Sequence, residues 1–260
     1  MRTLIIGDMH TDSSILHRAD SVKDIDRIIL LGDYMDDWHA GFGDRINMAE
    51  KLRDYVLDKQ RHGIRVDVLL GNHDIAYLLG KESRFFTHVY YMSPGFDAYS
   101  ENGVHQIYSH IPFSIMTTVR HHGGTWLCSH AGITESWLNH VMPSVHDEDT
   151  ISDTVNHMND WRTLFMCGSG RGGRDGCSSP LWADRYELME DHPNGMNQIV
   201  GHTPTKSVSM ISDGTSKLMF ADTFSRTSDG VHIGDSSVIV MDDDDDQDHG
   251  YGDGIQTICI

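Results

Sequence analysis

Five times along this 260-residue chain a short apolar run breaks off at a glycine or serine, and a side chain able to bind a metal follows. The segments are TLIIGDMH at 3–10, RIILLGDYMD at 27–36, RVDVLLGNHD at 65–74, TWLCSHAG at 125–132 and QIVGHTP at 198–204. Apolar runs of this length closed by a turn residue read as strands buried on both faces, which requires a sheet covered by other layers. Between the first three lie helix-like patterns, SSILHRADSVKDI and DRINMAEKLRDYVLDKQRHG, the second closed by Gly63. Strand, helix, strand, helix, strand predicts right-handed parallel crossovers. After GHTP the texture turns alternating and rich in turns: SVSMISDG, TSKLMFADTF, SSVIVMD and IQTICI. These predict antiparallel strands of a second sheet, joined by Asp-Gly turns. The expected fold is therefore α/β, a four-layer α-β-β-α sandwich of mixed sheets in a single domain over 1–260.

Composition removes several function classes. The formal charge is −19, and no basic run stands ready to release counterions from phosphates. Nucleic acid and anionic membrane surfaces are thus not expected as partners. No apolar stretch approaches the roughly 20 residues needed to span a bilayer, and MRTLIIGDMH is too short in apolar residues for a signal-peptide core. Cys128, Cys167, Cys177 and Cys259 form no CxxC pair, so a zinc ribbon is not expected and reduced thiols in the cytoplasm are. The acidic run Asp242 to Asp246 reads as a solvated loop between two strands.

In an open α/β sheet, ligands bind beyond the carboxyl ends of the strands. Endings at Asp8/His10, Asp33/Asp36, Asn72/His73, His130 and His202 would aim their polar groups at one crevice. A lone Gly-Asp is usually a turn, and a lone His after a strand is usually just hydrogen-bonded. Five such endings together predict a metal site. Carboxylate, imidazole and amide oxygen without thiolate suit Mn, Fe, Zn or Mg. So many donors exceed the needs of one ion and suit two divalent ions bridged by a carboxylate, with Mn2+ the first expectation.

GDMH, GDYMD, GNHD, SHAG and GHTP, in that order from Gly7 to Pro204, resemble the motifs of the calcineurin-like metallophosphoesterases, nearer to their serine/threonine phosphoprotein phosphatase branch. The resemblance implies that Asp8 and His10 bind a first metal, that Asp33 bridges, and that Asn72, His130 and His202 bind a second. It also implies that His73 is the general acid protonating the departing oxygen and that Asp36 orients it. Chemistry agrees, since a histidine titrates near neutrality and a carboxylate partner fixes its tautomer.

One departure stands out. That branch continues its second motif with a phosphate-gripping Arg, where this chain has Asp37 and then Trp38. An acid cannot replace a bidentate guanidinium. Arg45, Arg171, Arg174 and Arg185 are the candidates to serve instead. Arg185 is favoured because PLWADR resembles a late Leu-Trp-Ser-Asp segment near which that branch places another phosphate-binding Arg. The loop GSGRGGRDG could also cradle a phosphate through backbone N–H groups. GNHDIAYLLG and SHAGITESWL are in turn similar to the symmetrical dinucleoside tetraphosphatases, which lack a carboxylate corresponding to Asp36. The leading expectation is a dinuclear metal hydrolase of phosphomonoesters acting on a phosphoprotein or a small phosphoester. Cleavage of a dinucleoside polyphosphate or another nucleotide is the alternative, and a non-catalytic metal-holding phospho-binding module is a third reading. Oligomeric state is left open by the sequence.

Overall fold

A computed structural model describes residues 1–80, 95–122, 124–243 and 255–260, and the statements below concern these. Two mixed sheets form the centre. The first runs β11 (Ile255–Cys259), β10 (Ser237–Asp242), β1 (Arg2–Ile6), β2 (Arg27–Leu30), β3 (Arg65–Leu69) and β4 (Phe113–Ser114). Strands β1 to β4 are parallel and β10 joins β1 antiparallel. The second runs β5 (Met116–His121), β6 (Gly124–Ser129), β7 (Asn197–Val200), β9 (Lys217–Phe220) and β8 (Ser209–Ser212). Here β6, β7 and β9 are parallel and the two edge strands antiparallel.

Side-chain alternation explains the layering, because successive strand residues face opposite sides. Leu4 and Ile6 pack with Met48, Leu52 and Val56 of the long helix Phe42–Arg61. Ile5 faces the other way and meets Trp126, Ile199 and Met219 of the second sheet. On the outer side of that sheet Leu127 packs with Trp137 and Leu138 of Glu135–Val141 and with Ile151 and Val155 of Glu148–Asn156. A third outer helix, Arg185–Glu190, sets Leu188 on Val200, Leu218 and Phe220. Helix, sheet, sheet, helix is therefore the observed order. Between the sheets Arg27 forms an ion pair with Asp67 at 2.8 Å and donates to the Thr118 carbonyl and the Thr117 hydroxyl, so a buried guanidinium clasps one sheet to the other.

The expected make-up of the second sheet needs correction. It is not a sheet of the four C-terminal strands, since β10 and β11 return to the first sheet. SVIVM is buried along its length, which suits a strand lying between β1 and β11 with layers on both sides. β8 alternates between half-buried and exposed residues, as an edge strand does. Asp244 to Asp246 of the acidic run lie outside the described residues. No described helix is long and apolar enough to cross a membrane.

Candidate metal centre

All five strand endings meet at one place, and their chemistry there is unusual. His130 Nε2 lies 3.0 Å from Asn72 Oδ1, 3.0 Å from His202 Nδ1 and 3.3 Å from Asp33 Oδ2. The other His130 nitrogen, Nδ1, lies 2.9 Å from the Leu31 carbonyl, which can only accept. In the neutral ring Nδ1 thus carries the proton and Nε2 a lone pair. His202 is held neutral, its pKa pushed well below the usual value by burial, by Arg171 and by His130. Oxygen and imidazole donor atoms therefore crowd together, and the buried His202 Nε2 has no hydrogen-bond partner among the described residues. A cation resolves this arrangement. Metal–ligand distances of about 2.0–2.2 Å place neighbouring donors roughly 3.0–3.5 Å apart, which is the spacing found.

A second convergence adjoins the first. Asp8, His10 and Asp33 each offer a ligand atom, all within 4.8 Å of one another, and Asp33 belongs to both groups. His10 Nδ1 faces the carbonyls of Met35 and Asp36 at 3.3 and 3.2 Å, so in the neutral ring Nε2, 3.9 Å from Asp8 Oδ2, carries the lone pair. Burial, then Asp222 and Asp33, push the Asp8 carboxyl well above its usual pKa. Crowded buried carboxylates and lone-pair imidazoles fit two divalent ions sharing Asp33 as the common ligand.

The backbone bends to achieve this. His10, Asp33, Asp36 and His202 all take positive φ, between 43° and 67°, a region that costs a residue with a side chain about 1 kcal/mol or more. The stretch GNHD shows what holds them. Its three polar residues point three ways. Asn72 faces His130, and His73 sets its ring nitrogen Nδ1 3.3 Å from Asp36 Oδ2. Asp74 turns inward and accepts from the N–H groups of Asp33 (2.8 Å), Tyr34 (3.0 Å) and Gly71 (3.0 Å) and from the Tyr108 hydroxyl (3.0 Å). One buried carboxylate thus ties the loop after β2 to the loop after β3. Gly71 is required by close approach, because a Cβ there would overlap the Asp33 carboxylate. Burial lowers the His73 pKa, but Asp33 and Asp36 outweigh it and raise it to about 9, so the ring carries a proton to give.

These groups open on a cavity of about 1520 Å³. His10, Asp33, Asn72, His73 and His202 line it, and so do Arg171 and Arg174. Arg171 is anchored by an ion pair to Asp184 (3.1 Å) and by bonds to the His202 carbonyl and the Thr203 hydroxyl. The favoured Arg185 is placed elsewhere. Its guanidinium stacks on Phe220 at 4.3 Å and reaches Ser209, and it does not line the cavity. Arg45 is buried, and it bonds Asp36 and the carbonyls of Ala40, Gly41 and Gly95 rather than facing the cavity. The GSGRGGRDG loop lines the wall with Arg171 to Asp175. The N–H groups of Arg171, Gly172, Gly173 and Asp175 are all taken by carbonyls of residues 167–169, so this loop is no amide cradle at those positions.

Sequence reasoning missed Asp74, Tyr77, Arg162, Arg226 and Asp222. Arg162, Arg226 and Asp222 line the cavity. Asp222 carried a legible signal, since LMFA before it is a sixth apolar run ending at an acid, with Ala in place of Gly or Ser. Neither arginine sits in a motif.

Solved structures of similar fold include a cold-active protein-tyrosine phosphatase of a psychrophilic Shewanella species. The likeness has a TM-score of 0.51 and 15% identity, over 92% of this chain and 75% of that one. A point mutant of a cold-active protein tyrosine phosphatase gives 0.52 and 14%, over 92% and 74%. No curated protein sequence matches the chain. The sequence model of the calcineurin-like phosphoesterases matches residues 1–222, and the chain belongs to that family.

Proposed function

We propose that the protein is a phosphatase that hydrolyses phosphomonoesters with two divalent metal ions. The observation that carries this reading is Asp33, common to both donor groups and beside a His73–Asp36 pair that faces the same cavity. Asp8, His10 and Asp33 would hold one ion, and Asp33, Asn72, His130 and His202 the other. When bound, such ions supply Lewis acidity toward phosphoryl oxygens and a water activated at neutral pH. With oxygen and imidazole donors and no thiolate, Mn2+ is the proposed metal.

The remaining tasks fall to the chain's own groups. Asp36 accepts from His73 Nδ1, which leaves Nε2 to donate a proton to the departing oxygen. Arg171, held firmly at the cavity wall, offers a guanidinium to the phosphoryl oxygens. Turnover of p-nitrophenyl phosphate with added Mn2+ tests the enzymatic reading, and no turnover at any metal loading contradicts it.

A second reading rests on the cavity wall. Arg162, Arg171, Arg174 and Arg226 surround one opening in a chain of net charge −19, and the exposed Trp38 stands in the same wall. Several guanidiniums and an indole suit a phosphate chain ending in a base, as in a dinucleoside polyphosphate. Comparing a phosphopeptide panel with diadenosine tetraphosphate separates the two readings by kcat/KM.

A further inference from the structure

The Asp36 carboxylate is bonded on both oxygens, and the two sides do different things. Oδ2 faces His73 Nδ1 at 3.3 Å. Oδ1 accepts from the Tyr77 hydroxyl at 2.6 Å and from Arg45 Nε at 3.2 Å. Both donors are buried and fixed in turn. The Tyr77 hydroxyl accepts from the Asp97 N–H at 3.0 Å, and Arg45 Nη1 donates to the Ala40 and Gly41 carbonyls while Nη2 donates to Gly95. Burial, with Asp36 and its hydrogen bond next, pushes the Tyr77 phenol well above its usual pKa, so it stays a donor. A carboxylate with one oxygen doubly bonded to rigid donors cannot rotate about its terminal bond without breaking both contacts.

We infer that Tyr77 and Arg45 are positioning residues for the general acid: by clamping Asp36 Oδ1 they aim Oδ2 at His73 Nδ1 and so present Nε2 to the leaving oxygen. Neither residue lines the metal-centre cavity, and Arg45 does here something other than the phosphate contact its sequence position invited. Aiming matters because proton transfer requires hydrogen-bond reach and alignment, and small misplacements cost large factors. The inference rests on the proposed acid role of His73.

The test separates acid positioning from mere packing through the leaving group. Phosphoserine departs as a basic alkoxide that needs a proton, whereas p-nitrophenolate departs readily without one. Wild type, Tyr77→Phe, Arg45→Lys and His73→Asn are each loaded with Mn2+, and kcat is measured on both esters alongside metal content and melting temperature. Tyr77→Phe removes a single oxygen atom and keeps the ring packing. The expected result is that the phosphoserine to p-nitrophenyl phosphate ratio of kcat falls about tenfold in Tyr77→Phe and Arg45→Lys, the scale of one lost hydrogen bond to a charged group. It falls by roughly 10² or more in His73→Asn, with metal retained throughout. A ratio that shifts in His73→Asn but not in Tyr77→Phe or Arg45→Lys overturns the positioning role and leaves the acid in place. A ratio unmoved in His73→Asn overturns the acid itself.

Discussion

Two glycine-containing loops face the same cavity and are built on opposite plans. In GNHD the glycine makes room for the Asp33 carboxylate, and Asp74 accepts four buried bonds, two of which tie its loop to the loop after β2. In GSGRGGRDG the amides serve the loop itself, while Arg171 and Arg174 reach the cavity with their side chains, and a Cβ at Gly172 would meet nothing within 4 Å. The first loop is held by buried bonds and a close backbone approach. The second only has to offer charge at a wall. Tolerance to substitution should differ accordingly between Gly71 and Gly172, whereas Gly173, where a Cβ would meet the Cys167 carbonyl, is as confined as Gly71.

The sharpest way to break this contrast is Gly71→Ala against Gly172→Ala. The first forces the Asp33 carboxylate aside, and a shift of about 1 Å in a reacting group lowers activity by roughly 10². Metal content should fall with it. Gly172 has φ of 78° but open space, so Ala there should cost only about 1 kcal/mol of stability and leave metal content intact. Equal effects on metal content would remove the distinction.

Asp74→Asn probes the brace alone. An amide nitrogen would replace one carboxylate oxygen and face at least one buried N–H, that of Tyr34 or those of Asp33 and Gly71, so one or two buried bonds are lost. Denaturant unfolding should show about 2–4 kcal/mol of destabilisation. A change under about 0.5 kcal/mol would mean that the loops hold each other without it.

On the other loop, Arg171→Ala should raise KM for a monoester roughly ten- to hundredfold, about 1.5–3 kcal/mol, with metal content unchanged. Steady-state kinetics decides this, and a rise in Arg174→Ala alone would move the phosphate contact to the exposed arginine. The smallest effect is expected for Arg185→Ala. Loss of its stacking on Phe220 should cost about 0.5–1 kcal/mol of stability and leave KM within about twofold.

Strand endings were legible because each is local: an apolar run, a small residue and a ligand fit in eight residues. The four-layer order followed from the same runs. Partners set by tertiary placement were not legible. Nothing in PLWADR says that Arg185 will lie on Phe220 and Asp184 will hold Arg171 instead. Nor does an alternating C-terminal pattern say which sheet β10 completes, because two buried faces are available and only the pairing with β1 chooses between them. Asp222 lay between these cases, with the right local grammar but an Ala where the other endings have Gly or Ser.

A dinuclear centre of this kind requires Asp33 to serve two ion sites at once. Elemental analysis of protein purified with Mn2+ tests it directly, comparing wild type with Asp33→Asn, His10→Ala and His130→Ala. Two ions per chain are predicted for wild type, about one for each histidine variant, and well below one for Asp33→Asn. Two ions per chain retained in Asp33→Asn would contradict the shared carboxylate, and one ion or fewer in wild type would contradict the dinuclear centre.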